Sequence, residues 1–436
     1  MRESTGPGPA GFGPCGYGSD AGGCRPSRGR SARRLLSHLA VAVAAAGAAV
    51  GVTLAVSPAG TSAGTSPSGP DAVPSPAAPP AGRTVAADSE QQIVNKVRPG
   101  LVVINTTLHY SGDAAAGTGM VINPSGLVLT NNHVIEGSTT ITATVAATGK
   151  TYPAIVVGYD KAADIALIRL RGASGLKIVP VGDSAAVTAG EPAVALGNAG
   201  GRGAIVPAAG QVTALNVTVT ATDRELASSE TLNGMIKADA SIIPGDSGGP
   251  LVGPAGQVIG IDTAGDGASA TQQQPAGYAI PVNTALSVAS QIAAGHAGPA
   301  VSICYPPFLG VFIGSGTSSS PQTQARQQEQ QNVFAGTGTA PACYTSDNGL
   351  EMPSAIAPVS SGTLTEGTIC GGPAASAGLT GGSVITAVNG QPTGQPAQLR
   401  GVLSRFRPGD AISVTWVSPA GRQATSRLRL TAGPPQ

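Results

Sequence analysis

The chain has 436 residues, a formal net charge of +1 and only 11% charged residues. That length exceeds one ordinary domain, and with no basic block beyond the first 34 residues nucleic acid is excluded as a natural partner. Aromatics are 3% while glycine (63) and proline (36) are abundant, so part of the chain is expected to be linker or disorder rather than packed core.

Residues 1–34 are Gly/Pro/Ser-rich and carry Arg25, Arg28, Arg30, Arg33 and Arg34; they read as a disordered, basic tail. Residues 35–56 form an Ala/Val/Leu run with no charge from Leu39 to Val56. About 20 apolar residues suffice to cross a bilayer as a helix. The arginines precede the run and the next basic residue is Arg83. This predicts a single-pass anchor with a cytoplasmic N-terminus and an extracytoplasmic remainder. A cleaved secretory signal has a similar layout, but the long lead before the run favours an anchor. Residues 57–90, rich in Pro, Ala and Ser, read as a solvated linker.

From Gln91 the texture changes. Gln91–Val97 predicts a short helix, ended by Arg98-Pro99-Gly100. Short β-branched runs separated by glycine turns follow: 101–107, 119–123, 127–130, 139–146, 152–159, 165–170, 192–196, 203–215, 235–238, 250–252, 257–263 and 278–281. Many short strands at this spacing indicate an all-β barrel or sandwich, and the length suits two small barrels. Asn283–Ala294 predicts a helix, stopped by Gly295.

Three segments in this region carry chemistry. In Gly245-Asp246-Ser247-Gly248-Gly249-Pro250 the glycines permit a tight turn. Such a turn presents a hydroxyl together with the amides of Gly245 and Ser247, an oxyanion-binding pair. A serine hydroxyl needs a base to become a nucleophile. His133 ends the run Gly126-Leu127-Val128-Leu129-Thr130-Asn131-Asn132-His133. Asp164 stands just before the apolar run Ile165–Leu170, where it can orient an imidazole. Asp160 is its rival, but beside Lys161 it reads as solvated.

Taken together, these words resemble the HtrA (high temperature requirement A) family of trypsin-like serine proteases. The resemblance also rests on Gly117-Thr118-Gly119, on Ala163-Asp164-Ile165-Ala166-Leu167 and on Gly260-Ile261-Asp262-Thr263-Ala264. It covers about residues 91–295 and implies His133 as general base, Asp164 as its orienting partner and Ser247 as nucleophile. Asp246 departs from the family, which commonly has asparagine there. By analogy with the fold, Ser241 floors the S1 pocket; being small and neutral, it predicts aliphatic P1 residues and no preference for Arg or Lys. No zymogen-type Ile-Val-Gly-Gly start is present.

Downstream, 298–307 reads as a hinge. Phe308-Leu309-Gly310-Val311-Phe312-Ile313 and Gly372–Gly390 resemble the carboxylate-binding loop and core of a PDZ domain, spanning 306–432. The resemblance implies capture of peptide C-termini at Leu309, Gly310 and Val311. Residues 398–406 predict a helix with one apolar stripe, and 412–417 and 426–430 predict strands. Residues 314–361 are polar and read as a disordered insertion. Of the exported cysteines, Cys304, Cys343 and Cys370, at most one pair is expected to bridge, leaving one thiol. A Cys304–Cys343 pair and a Cys343–Cys370 pair are both admissible.

The expected molecule is therefore mostly β. A transmembrane helix is followed by a chymotrypsin-like double β-barrel over 91–297 and then an α+β PDZ domain. The expected activity is that of a membrane-anchored exported serine endopeptidase, without metal or organic cofactor. The family implies misfolded exported polypeptides as substrates and a homo-oligomer, often a trimer. The alternatives are a proteolytically inactive PDZ scaffold or chaperone, and an esterase with the same triad.

Overall fold

The computed structural model describes residues 87–108, 113–223, 228–265, 277–314, 316–330, 343–344 and 353–435. The expected tail, anchor and most of the linker lie outside them. Among the described residues no helix is long and apolar enough to cross a membrane.

A helix, α1 (Ala87–Val97), leads into the first barrel and buries Ile93, Val94 and Val97. Six strands follow: β1 (Leu101–Leu108), β2 (Asp113–Asn123), β3 (Leu127–Thr130), β4 (Thr140–Val145), β5 (Thr151–Asp160) and β6 (Ile165–Leu170). A short helix, α2 (Asn132–Ile135), sits between β3 and β4. The strands pair in the order β5-β4-β1-β2-β3-β6, and a β5–β6 pairing closes the ring. Val102, Ile104, Val121, Val128, Val156 and Ile168 fill it, all with no exposure. Each such side chain is worth about 1.5–3 kcal/mol of burial.

The second barrel comprises β7 (Pro192–Gly197), β8 (Val206–Asp223), β9 (Ser228–Ala238), β10 (Pro250–Val252), β11 (Val258–Gly265) and β12 (Gly277–Pro281). It closes in the order β10-β11-β12-β9-β8-β7. A separate cluster joins Leu101, Met120 and Leu167 of the first barrel to Leu196, Met235 and Ile261 of the second. The two barrels thus share a buried seam. The loops that carry the motif residues meet along it. Helix α3 (Val282–Ala293) buries Val282, Ala285, Val288, Ala289 and Ile292 against this cluster.

Residues 298–307 are not a simple hinge. Val301–Ile303 forms β13, paired antiparallel with β5, and the buried Tyr305 hydroxyl accepts from the Val156 amide at 3.3 Å. This docks the chain on the first barrel before it enters the C-terminal unit. That unit contains β14 (Pro307–Phe308), β15 (Val311–Phe312), α4 (Pro321–Gln330), β16 (Thr363–Leu364) and β17 (Gly367–Thr368). It continues with α5 (Pro373–Ser376), β18 (Val384–Val388), β19 (Gln391–Pro392), α6 (Pro396–Leu403), β20 (Ala411–Val417), β21 (Gln423–Arg429) and β22 (Thr431–Ala432). Its core gathers Leu309, Val311, Ile313, Leu399, Leu403, Ile412 and Val414.

One expectation is corrected here and one open choice is settled. The stretch expected to be disordered contains α4, because Gln, Arg and Ala are good helix formers and Pro321 suits a first-turn position. Two of its glutamines bond internally. Gln324 donates to the carbonyls of Ser318 and Gly362 and accepts from the Leu364 amide, while Gln328 donates to Glu366 at 2.8 Å. The bridge is Cys343–Cys370, closing a 27-residue separation. Cys304 takes no part in it.

Candidate active site

The turn after β3 becomes α2, and His133 stands on it with 40% of its side chain exposed. Asp164 ends the Lys161–Asp164 turn with φ of 50°, in the left-handed region. An aspartate tolerates that region better than most residues, and a functional site is where such strain collects. Its carboxylate is 3% exposed and meets His133 Nδ1 at 3.0 Å (Oδ1) and 2.9 Å (Oδ2). The His133 amide donates to Oδ1 at 3.0 Å, and Asn131 Nδ2 holds the Asp164 carbonyl at 2.8 Å. Asp160, expected to be solvated, is instead buried and caps this turn by accepting from the Ala163 amide. Its neighbour Lys161 pairs outward with Glu136.

Ser247 lies on the connection between β9 and β10, in the second barrel. Its Oγ donates to the Thr263 carbonyl at 3.3 Å. The Thr263 hydroxyl in turn donates to Asp164 Oδ2. Thr263 thereby ties the serine of one barrel to the histidine–aspartate pair of the other. The motif reading gave it no role, since a threonine in Gly-Ile-Asp-Thr-Ala carries no spacing signal of its own.

The turn around Ser247 is clamped from the first barrel by Thr118. The Thr118 amide donates to the Ser247 carbonyl at 2.9 Å, and its hydroxyl donates to the Gly245 carbonyl at 2.8 Å. Gly245 has φ of 100°, and a Cβ there would stand 2.2 Å from the Asn198 carbonyl oxygen. Only glycine fits. The Pro244 carbonyl accepts from the Gly200 amide at 2.8 Å. In a trans peptide the N–H points opposite to the C=O, so the Gly245 N–H is turned away from that contact. Among the described residues no hydrogen bond uses the Gly245 or Ser247 amide. Ser241 is exposed at the start of the same connection.

Two carboxylates lie behind this turn. Burial pushes the Asp246 carboxyl up to about 6, although the Ile243 amide partly stabilises the ionised form. Asp262 is raised well above the ordinary range, chiefly by complete burial and then by the Asp246 charge.

The chain matches the family model for a trypsin-like peptidase domain over residues 117–261, which spans all three motif residues. It is 29% identical over 359 residues to serine protease PepD of Mycobacterium tuberculosis, covering 78% of this chain and 66% of that one. It is 30% identical over 293 residues to putative serine protease HhoA of Synechocystis, covering 67% and 64%. To serine protease Do-like HtrA of Lactococcus lactis it is 29% identical over 328 residues, covering 73% and 71%. This chain carries a trypsin-like peptidase domain of the HtrA type. It spans about two thirds of the length of these curated relatives. Serine protease, the class expected from the motif residues, is the class those relatives carry in their names.

Proposed function

We propose that the protein is an HtrA-type serine endopeptidase acting on polypeptides. One observation carries the reading: a buried carboxylate fixes His133 through Nδ1, and Thr263 links that carboxylate to Ser247, beside two uncommitted amides. With Nδ1–H held by Asp164, the His133 Nε2 lone pair is left to take the Ser247 proton. Ser247 Oγ then attacks the scissile carbonyl, and the amides of Gly245 and Ser247 receive the oxyanion. One such donor is worth roughly 10²–10³ in turnover. His133 returns the proton to the leaving amine, then activates water to release the acyl-enzyme. Ser241 at the pocket floor favours small or medium aliphatic P1 side chains.

The C-terminal unit is read as a PDZ domain. In support, Ile369 donates to the Gly310 carbonyl and Val311 sits opposite Thr368. In that register the N–H and C=O of Val311 project from the free edge of β15, where an added peptide strand would bond. Anchoring through 35–56, an extracytoplasmic location, misfolded-protein substrates and a homo-oligomer complete the proposal. The deciding test is labelling by a fluorophosphonate probe, with casein hydrolysis alongside. Wild type labels and Ser247→Ala does not. A folded wild type that neither labels nor cleaves at any pH overturns the reading in favour of a peptide-binding scaffold.

A further inference from the structure

Asp246 and Asp262 flank the Gly245–Gly249 turn from behind. The backbone of Asp262 is laced to that turn: Gly248 N–H donates to the Asp262 carbonyl and Asp262 N–H donates to the Gly249 carbonyl, both at 2.8 Å. Asp262 has no exposure, and neither of its carboxyl oxygens has a hydrogen-bond partner, although the Leu196 amide faces it. Asp246 is 4% exposed; its Oδ2 accepts from the Ile243 amide at 3.0 Å, while its Oδ1 is buried without a partner. Strand β7 walls this carboxylate in, since a Cβ on Gly197 would stand 2.4 Å from both Asp246 Cα and Oδ1.

Among the described residues neither carboxylate has an ion-pair partner. The charged groups of the surrounding elements are exposed or engaged elsewhere. Arg202, in the turn after β7, is exposed. Lys237 of β9 lies over the Tyr278 ring at 5.5 Å. Asp239 accepts from the Gln211 amide. The His133–Asp164 pair, on the far side of Ser247 and Thr263, is committed to itself. Among the described residues, a further orphan polar group at this strand end is a donor, Asn198 Nδ2.

Two interior carboxylates without a cation cannot both ionise at modest cost, and they titrate as a unit. We infer that Asp246 and Asp262 are positioning residues for acyl transfer, holding the Ser247 turn in its working shape only while the pair retains a proton. The mechanical argument is an asymmetry of anchoring. Asp262 lies in β11, paired with β10 on one side and opposite Ala279 of β12 on the other. Asp246 lies in a turn. When the last proton leaves, Asp246 is the member that moves, and the peptide it shares with Ser247 carries an oxyanion-binding amide.

This inference rests on the protease reading above, and its test separates the two. The pH profile of kcat/KM is measured for wild type, Asp246→Asn and Asp262→Asn, each checked for folding by circular dichroism. Infrared spectra at pH 7 are recorded in parallel for a buried, protonated carboxyl band, in a Glu366→Gln background so that the raised carboxyl of Glu366 does not contribute. Wild type is expected to lose about tenfold in kcat/KM per pH unit above the pair's second ionisation. Relative to each variant's own maximum, that alkaline limb moves up or vanishes in both amide variants, because an amide mimics the protonated acid. In that background the band is expected with both aspartates present and lost when Asp262→Asn is added. Absence of the band from the Glu366→Gln parent at pH 7, or an alkaline limb that survives both aspartate substitutions, overturns the inference. A wild type without turnover at any pH, whatever its spectrum, instead defeats the protease assignment together with the positioning role.

Discussion

Replacing Thr263 by valine keeps the shape of the side chain and deletes one hydroxyl. That hydroxyl donates to Asp164 Oδ2 inside the barrel seam, where the carboxylate is only 3% exposed. Water cannot readily substitute there. A hydrogen bond to a charged group is worth about 1.5–3 kcal/mol net. The ionised Asp164 is needed most when His133 becomes imidazolium, so the loss should fall on the transition state. At 1.36 kcal/mol per decade this is about 10- to 150-fold in kcat/KM. The Thr263 backbone carbonyl that receives Ser247 Oγ is untouched, so substrate affinity should change little and kcat should carry the effect. Steady-state cleavage of a peptide with an aliphatic P1 residue, with the kcat and KM contributions separated, measures it. Thr263→Ser restores the donor and should restore most of the rate. A Thr263→Val enzyme within twofold of wild type would refute the view that this hydroxyl supports the histidine–aspartate pair.

Gly245→Ala forces a Cβ to within 2.2 Å of the Asn198 carbonyl at a φ of 100°. The turn must shift and one oxyanion donor is displaced, so kcat should fall by about 10² or more with intact folding by circular dichroism. Opening the Cys343–Cys370 bridge by paired serine substitution releases a 27-residue loop. In the chain-entropy account this costs about 3.5 kcal/mol, read as a lower denaturant midpoint for the C-terminal unit while the barrels keep theirs. Glu366 is pushed up to about 7 from 4.5 by burial, against the opposing help of Gln328 and Arg400. Its native pKa lies above its unfolded one, so stability is greatest below 4.5 and is lost as pH rises through about 7, by up to about 3 kcal/mol. Glu366→Gln should flatten that dependence in urea titrations at pH 5 and pH 8; an unchanged slope refutes the assignment.

Much of the architecture was legible because buried strands write themselves in β-branched runs. Ile165–Leu170 and Pro250–Val252 emerged with the bounds expected of them. The long β8–β9 hairpin did not: Val217 and Val219 face the core, but the left-handed Asn216 and three shifts of register with β9 interrupt the alternation that would mark one continuous strand. Helix α4 was hidden for a different reason. It is stabilised by glutamine side chains bonding buried backbone groups, and an all-polar segment reads as solvated unless its partners are known. His133, Asp164 and Ser247 were legible as separate words. Their convergence depends on loops from both barrels meeting at one seam, which no local pattern encodes.

Strand β11 shows how much of the site depends on neighbours that no motif singles out. Successive side chains of a strand face opposite ways. At the end of β11 that alternation sends the Thr263 hydroxyl to Asp164 and leaves the Asp262 carboxylate behind the Ser247 turn. One residue supports the base, and the next abuts the nucleophile's backbone from the rear. A register slip of one residue would exchange them, placing an unpaired carboxylate against Asp164 and depriving the pair of its donor. The β11–β12 register is irregular between Asp262 and Ala264, where Asp262 faces Ala279 and Ala264 faces Tyr278. An irregularity at that step re-aims the strand end at the point where both faces are in use. The geometry of the candidate active site is therefore set as much by the pairing of β11 as by the residues its chemistry would consume.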